Sequence, residues 1–185
     1  MLSKQHVTKS ILGLALLSAV PVASAAVVTG GTVHFTGQIV NAACAVSAES
    51  VDQIVKMGQF RTANFTSVGM RSHAVPFTIK LEDCDTKIST TAAVSFYGNL
   101  DANDPTVLAV SNIAGGASGS ASGVGIEISD YTGKLVKPDG SVFSTAQNLV
   151  DGANVLSFTA RYKSTLASVT PGQADADALF KMQYN

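Results

Sequence analysis

The chain has 185 residues, with 12 Lys+Arg against 13 Asp+Glu and only 14% charged residues. A formal charge of −1 favours neither nucleic acid nor an anionic membrane surface as a partner. Two cysteines with no histidine near them cannot supply the four ligands of a zinc site.

Lys4 and Lys9 give a short basic start, Ile11 to Val20 is almost wholly apolar, and Pro21 leads into Ala23-Ser24-Ala25. This is the pattern of a secretory signal peptide over residues 1–25, cleaved after Ala25. The apolar run is shorter than the roughly 20 residues a bilayer-spanning helix needs, so no stable membrane insertion is expected. Cleavage would leave 160 of the 185 residues, enough for one domain. It would also remove two lysines, leaving 10 Lys+Arg against 13 Asp+Glu, a formal −3. Export lets thiols oxidise, and one disulfide between Cys44 and Cys84 is expected. Closing a loop of that length stabilises by about 4 kcal/mol in the chain-entropy account.

After the cleavage point, Gly31, Val33 and Phe35 alternate with Thr32, His34 and Thr36. The segment reads as a strand that lacks an assigned partner. A helical turn is expected near Gly58 to Phe65. Then Val75, Phe77, Ile79 and Leu81 fall at every second position, the mark of a strand burying one face. The pattern repeats at Val94 and Phe96, at Val124, Ile126 and Ile128, and at Leu156, Phe158, Ala160 and Tyr162. Turn-formers separate these runs at Asn99 to Pro105, Gly115 to Gly123, Lys137-Pro138-Asp139-Gly140, Asp151-Gly152 and Pro171-Gly172. Short strands at this spacing predict an all-β sandwich. The last strand is predicted to be long: Ala174, Ala176, Ala178, Phe180, Met182 and Tyr184 alternate with Asp175, Asp177, Leu179, Lys181 and Gln183. Its free edge is expected to stay unpaired unless a strand comes from elsewhere.

Residues that could carry chemistry read as surface or core. His34 is expected on the outer face of its strand and His73 at a strand start, neither beside a nucleophile. Ser118, Ser120 and Ser122 form no Gly-x-Ser-x-Gly elbow, and Gly123-Val124-Gly125 opens a strand without the third glycine of a nucleotide loop. Glu82, Asp83 and Asp85, like Asp175 and Asp177, are expected to be solvated turn and strand surface, not calcium ligands or acid–base pairs. No enzyme activity, metal or cofactor is expected.

Two stretches, Gly30-Gly31-Thr32-Val33-His34-Phe35-Thr36-Gly37 and Val40-Asn41-Ala42-Ala43-Cys44-Ala45-Val46, resemble the start of type 1 fimbrial major subunits of the chaperone–usher pilin family. Leu81-Glu82-Asp83-Cys84-Asp85, Ala160-Arg161-Tyr162 and the run from Pro171-Gly172 to Phe180, Met182 and Tyr184 resemble that family too. The resemblance implies an incomplete immunoglobulin-like sandwich, lacking its last strand, with a groove beside Phe180, Met182 and Tyr184. A periplasmic pilus chaperone would fill the groove first. At the outer-membrane usher, the extension of the next subunit would then replace it by donor-strand exchange. By resemblance the extension spans residues 26–35, with Gly31, Val33 and Phe35 entering the groove, and the pilin domain spans 36–185. Gly31 matches the small residue where exchange completes, and Tyr184 the next-to-last tyrosine of the chaperone-bound strand. The implied product is a helical homopolymer, the rod of an extracellular fimbria that carries minor subunits at its tip and supports adhesion. A minor adaptor or tip subunit with a binding role is the alternative reading.

Overall fold

A computed structural model describes residues 27–113, 115 and 119–185. The expected signal peptide lies outside them. The backbone divides into two units, residues 1–38 and residues 39–185.

In the first unit, Val27–Gln38 forms no strand and no helix, and every residue is exposed. The strand predicted around Gly31, Val33 and Phe35 is therefore not formed. An extended segment becomes a strand only when a neighbouring edge accepts its backbone hydrogen bonds.

The second unit is all-β apart from two short turns of helix. Its strands are β1 (Ala45–Val46), β2 (Val75–Cys84), β3 (Thr91–Gly98), β4 (Leu108–Ala109), β5 (Val124–Asp130), β6 (Gln147–Asn148), β7 (Gly152–Ser164) and β8 (Ala178–Tyr184). They build one sheet in the order β1-β2-β7-β5-β4 and a second in the order β6-β3-β8, with every pair antiparallel. The predicted helical turn appears as a 3-10 turn at Thr62–Asn64. Helix α1 (Ala48–Val51) carries no apolar periodicity and was not legible in the sequence. Two serines hold it on β2, since the Ser47 N–H donates to the Lys80 carbonyl at 3.0 Å and Ser50 Oγ accepts the Lys80 N–H at 2.9 Å.

The alternating residues place the core between the sheets. Phe77 of β2 and Phe158 of β7 meet Phe96 of β3, with ring centroids 6.0 and 5.2 Å away, and Phe77 and Phe158 stack at 5.6 Å. Ile79, Leu81, Val94, Val124, Ile126, Ile128, Leu156 and Tyr162 surround them. In β2 the register shifts between Leu81 and Cys84, and Asp83 takes a left-handed φ of 51°. This bulge changes the phase of the strand, so Leu81 and Cys84, three residues apart, are both buried. Cys84 bonds Cys44 across a sequence separation of 40 residues.

Strand β5 departs from the one-sided burial its alternation predicts, because both faces are covered. Outside, Gly125 lies under Val107, whose Cγ2 occupies the space a Cβ at this position would need. Beside it Glu127 is buried under a bidentate Arg71, at 2.8 and 2.9 Å, with Arg161 at 3.5 Å and Lys163 at 3.7 Å. Lys163 also pairs with Asp104 at 2.7 Å. Two cations from β7 and Arg71, which bridges Lys163 ahead of β2, turn an outward carboxylate into a buried one.

The last strand is shorter than predicted. Its ladder with β3 runs from Gly98↔Ala178 to Ala92↔Tyr184, while Asp175 bridges Ser111. Beyond Gly98 the chain turns away at Asn99, so residues 174–177 lose β3 as a partner. A side chain at Gly98 would place its Cβ 2.6 Å from the Asp177 carbonyl, which is why the crossing needs glycine.

Candidate functional site

Besides the two-residue edge strands β1, β4 and β6, two longer stretches among the described residues lack a ladder partner along one side. The first is β8, bonded to β3 alone. The second is the arm Gln53–Phe60, which follows α1 and belongs to no ladder. Three contacts show how they lie. Tyr184 Oη donates to the Cys44 carbonyl at 3.3 Å. Phe60 packs edge-on against Tyr162 with centroids 5.3 Å apart, and Tyr162 Oη donates to the Ala174 carbonyl at 2.8 Å. Residues 44–60 therefore run alongside residues 184–174 in opposite chain directions. Among the described residues no backbone ladder joins them.

Both sides of this cleft are apolar. β8 turns Ala178, Phe180, Met182 and Tyr184 toward the core, and all four are half-buried where the inward residues of β7 are buried. Phe180 reaches Phe96 with ring centroids 6.5 Å apart, which roots the row in the aromatic core. On the other side Val46, Met57 and Phe60 pack partly against the same core, and Val55 is half-buried. Burial raises the hydroxyl pKa of Tyr184, and burial together with Asp175 raises that of Tyr162, so both stay neutral donors at ordinary pH. Unpaired backbone flanked by a half-buried apolar row suits one kind of ligand, an extended chain with an apolar side chain at every second position.

The predicted site residues fall into three groups. Cys44 and Cys84 form the disulfide that ties the residue before β1 to the end of β2. Phe180, Met182 and Tyr184 lie together on the cleft side of β8. Gly31, Val33 and Phe35 lie in the unit before Ile39, with Val33 73% and Phe35 92% exposed. The arm itself escaped the sequence reading. Its signal was the alternation of Val55 and Met57 around Lys56, cut short by Gly58. His73 sits ahead of β2 with its ring 4.7 Å from Phe60, in a packing role. Among the described residues no cluster of three or more His, Cys, Asp or Glu could hold a metal ion.

A family model described as "Fimbrial protein" matches residues 33–185. The chain belongs to the fimbrial protein family. It is 53% identical over 180 residues to a fimbrial subunit type 1 of Salmonella typhimurium, covering 96% of each chain. It is 50% identical over 172 residues to the type-1 fimbrial protein, A chain, of Escherichia coli K12, covering 92% of each. Among solved structures, the P pilus rod subunit PapA superposes with a TM-score of 0.63 at 30% identity, covering 78% of this chain and 100% of that one. A structure of a chaperone–usher pilus that bears on rod uncoiling gives a TM-score of 0.67 at 30% identity, covering 88% of this chain and 100% of that one. The two sheets and single disulfide are thus those of a fimbrial subunit, a structural class and not an enzyme class. Among the described residues no helix is long and apolar enough to cross a membrane.

Proposed function

We propose that this protein is the rod-forming subunit of a chaperone–usher fimbria and that it polymerises by donor-strand exchange. Residues 1–25 direct export and are removed. Residues 26–35 then insert into the cleft of a neighbouring copy, placing Gly31, Val33 and Phe35 against its core. Before assembly a periplasmic chaperone strand occupies the same cleft, and the usher exchanges one for the other. The finished fibre is extracellular and carries minor subunits at its tip.

The observation that carries this reading is the paired vacancy in the hydrogen-bonding scheme, with β8 open on one side and the arm Gln53–Phe60 joined to no ladder. A single inserted strand would satisfy both edges. Burying Val33 and Phe35 fully contributes about 1.5–3 kcal/mol each, and each new backbone hydrogen bond about 1 kcal/mol net. Rod rank is supported by the likeness to PapA and to the type 1 A chain.

Deleting residues 26–35 provides the test. The mature variant is expected to bind the chaperone as the complete subunit does, yet to contribute nothing to fibres purified by shearing. Fibre assembly at the normal yield would overturn strand exchange. Rank is read from copy number in the same fibres, where a rod subunit outnumbers every other component.

A further inference from the structure

An oxidant finds few reactive groups on this chain. Both cysteines are joined in the Cys44–Cys84 bond, and the sequence has no tryptophan. Of the four methionines, Met1 belongs to the expected signal peptide, which leaves Met57, Met70 and Met182. Their thioethers are the groups that a mild two-electron oxidant converts first.

Two of these methionines belong to the cleft, one on each side. Met57 lies in the arm Gln53–Phe60 and Met182 in β8, and both are half-buried against the aromatic core. Met182 pairs with Val94 across the ladder and stands between Phe180 and Tyr184 in the inward row. Met70 takes no part in the core cluster and is 41% exposed.

A methionine suits a wall that must receive another chain, because its unbranched, polarizable side chain adapts to what it touches. Oxidation reverses this. With hydrogen peroxide, the sulfur lone pair attacks one peroxide oxygen and the O–O bond breaks. The transferred hydroxyl gives its proton to the departing hydroxide, which leaves as water, and the sulfur has lost two electrons. The product is a sulfoxide, a polar hydrogen-bond acceptor. Inside a filled cleft that oxygen needs a donor. Gly31, Val33 and Phe35 of an inserted extension carry no side-chain N–H or O–H. The Tyr184 hydroxyl beside Met182 already donates to the Cys44 carbonyl. A buried acceptor left without a donor opposes insertion.

We infer that Met57 and Met182 are oxidation sites that couple assembly to redox conditions: in an open cleft a peroxide converts both to sulfoxides and the cleft then rejects a donor strand, whereas a filled cleft shields them. Reduction of the sulfoxides restores the thioethers and with them the acceptance of a strand. The inference rests on the strand-exchange reading and adds regulation to the same cleft.

The test uses the mature subunit and a labelled peptide of residues 26–35. Peptide affinity is measured before and after treatment with hydrogen peroxide, and sulfoxides are located by peptide mass spectrometry. Oxidation at Met57 and Met182 is expected to weaken binding about tenfold or more. A subunit carrying Met57→Leu with Met182→Leu, substitutions of similar volume, is expected to bind the peptide and to keep its affinity after the same treatment, although Met70 is oxidised. A second measurement needs no variant: bound peptide is expected to slow sulfoxide formation at Met57 and Met182 and to leave Met70 unchanged. Unaltered affinity of the oxidised subunit overturns the inference and leaves strand exchange standing. So does a loss of affinity in the leucine variant equal to that of the parent, or equal oxidation of the cleft methionines with and without peptide. A reduced subunit that takes no peptide overturns the strand-exchange reading itself, and the inference with it.

Discussion

Strands β7 and β8 alternate apolar and polar residues in the same way, yet they end in different states. β7 has a hydrogen-bonded neighbour on each side, β2 and β5, and its inward Leu156, Phe158, Ala160 and Tyr162 are buried. β8 has only β3, and its inward row stays half-exposed although it touches the same aromatic core. Alternation determines which face of a strand is apolar. Whether that face is closed depends on what is bonded to the strand, and among the described residues no strand bonds the second edge of β8.

The contrast can be broken by mutation. Phe158→Ala should have the largest effect, lowering the stability of the isolated domain by about 3–5 kcal/mol, read as a fall in the urea midpoint. Glu127→Ala comes next at about 3 kcal/mol, since it leaves Arg161 and Lys163 facing each other without their shared carboxylate, while half-exposed Arg71 can turn to water. A loss below half a kcal/mol would mean that the cover over β5 is ornamental.

Acid provides a third probe of the closed region. Burial opposes ionisation of Asp130, but hydrogen bonds from Thr132 and Thr145 outweigh it and hold the pKa down to about 2. The folded value is below the unfolded one, so the stabilisation is complete above pH 4 and disappears as pH falls toward 2. It amounts to roughly 2 kcal/mol. Asp130→Asn should flatten the stability profile across that window, and an unchanged slope would count against the assignment.

Phe180→Ala should have the smallest effect, about 1 kcal/mol in the isolated domain, because water already reaches this side chain. A loss equal to that of Phe158→Ala would show that the cleft is closed in the free subunit.

The buried rows of β2, β3, β5 and β7 were legible because each residue pattern had a partner strand within the chain. Elsewhere the partner is the missing fact. Gly31, Val33 and Phe35 alternate as a strand should, but no ladder forms in Val27–Gln38. Ala174 and Ala176 alternate as well, yet β3 ends at Gly98 before it can pair with them. β1, β4 and β6, of two residues each, are too short for any periodicity to announce. The burial of Glu127 depends on Arg71, 56 residues away, which no local pattern encodes.

The disulfide also bears on how a fibre would carry load. Tension on an inserted extension would enter the subunit along residues 36–43 and arrive at Cys44. From there the sulfur bridge leads directly to Cys84, in the strand bonded to β7, and bypasses the 39 residues between them. The arm Gln53–Phe60 lies inside that bypassed loop. Tension entering at Cys44 would therefore reach β2 without passing through the backbone of residues 53–60.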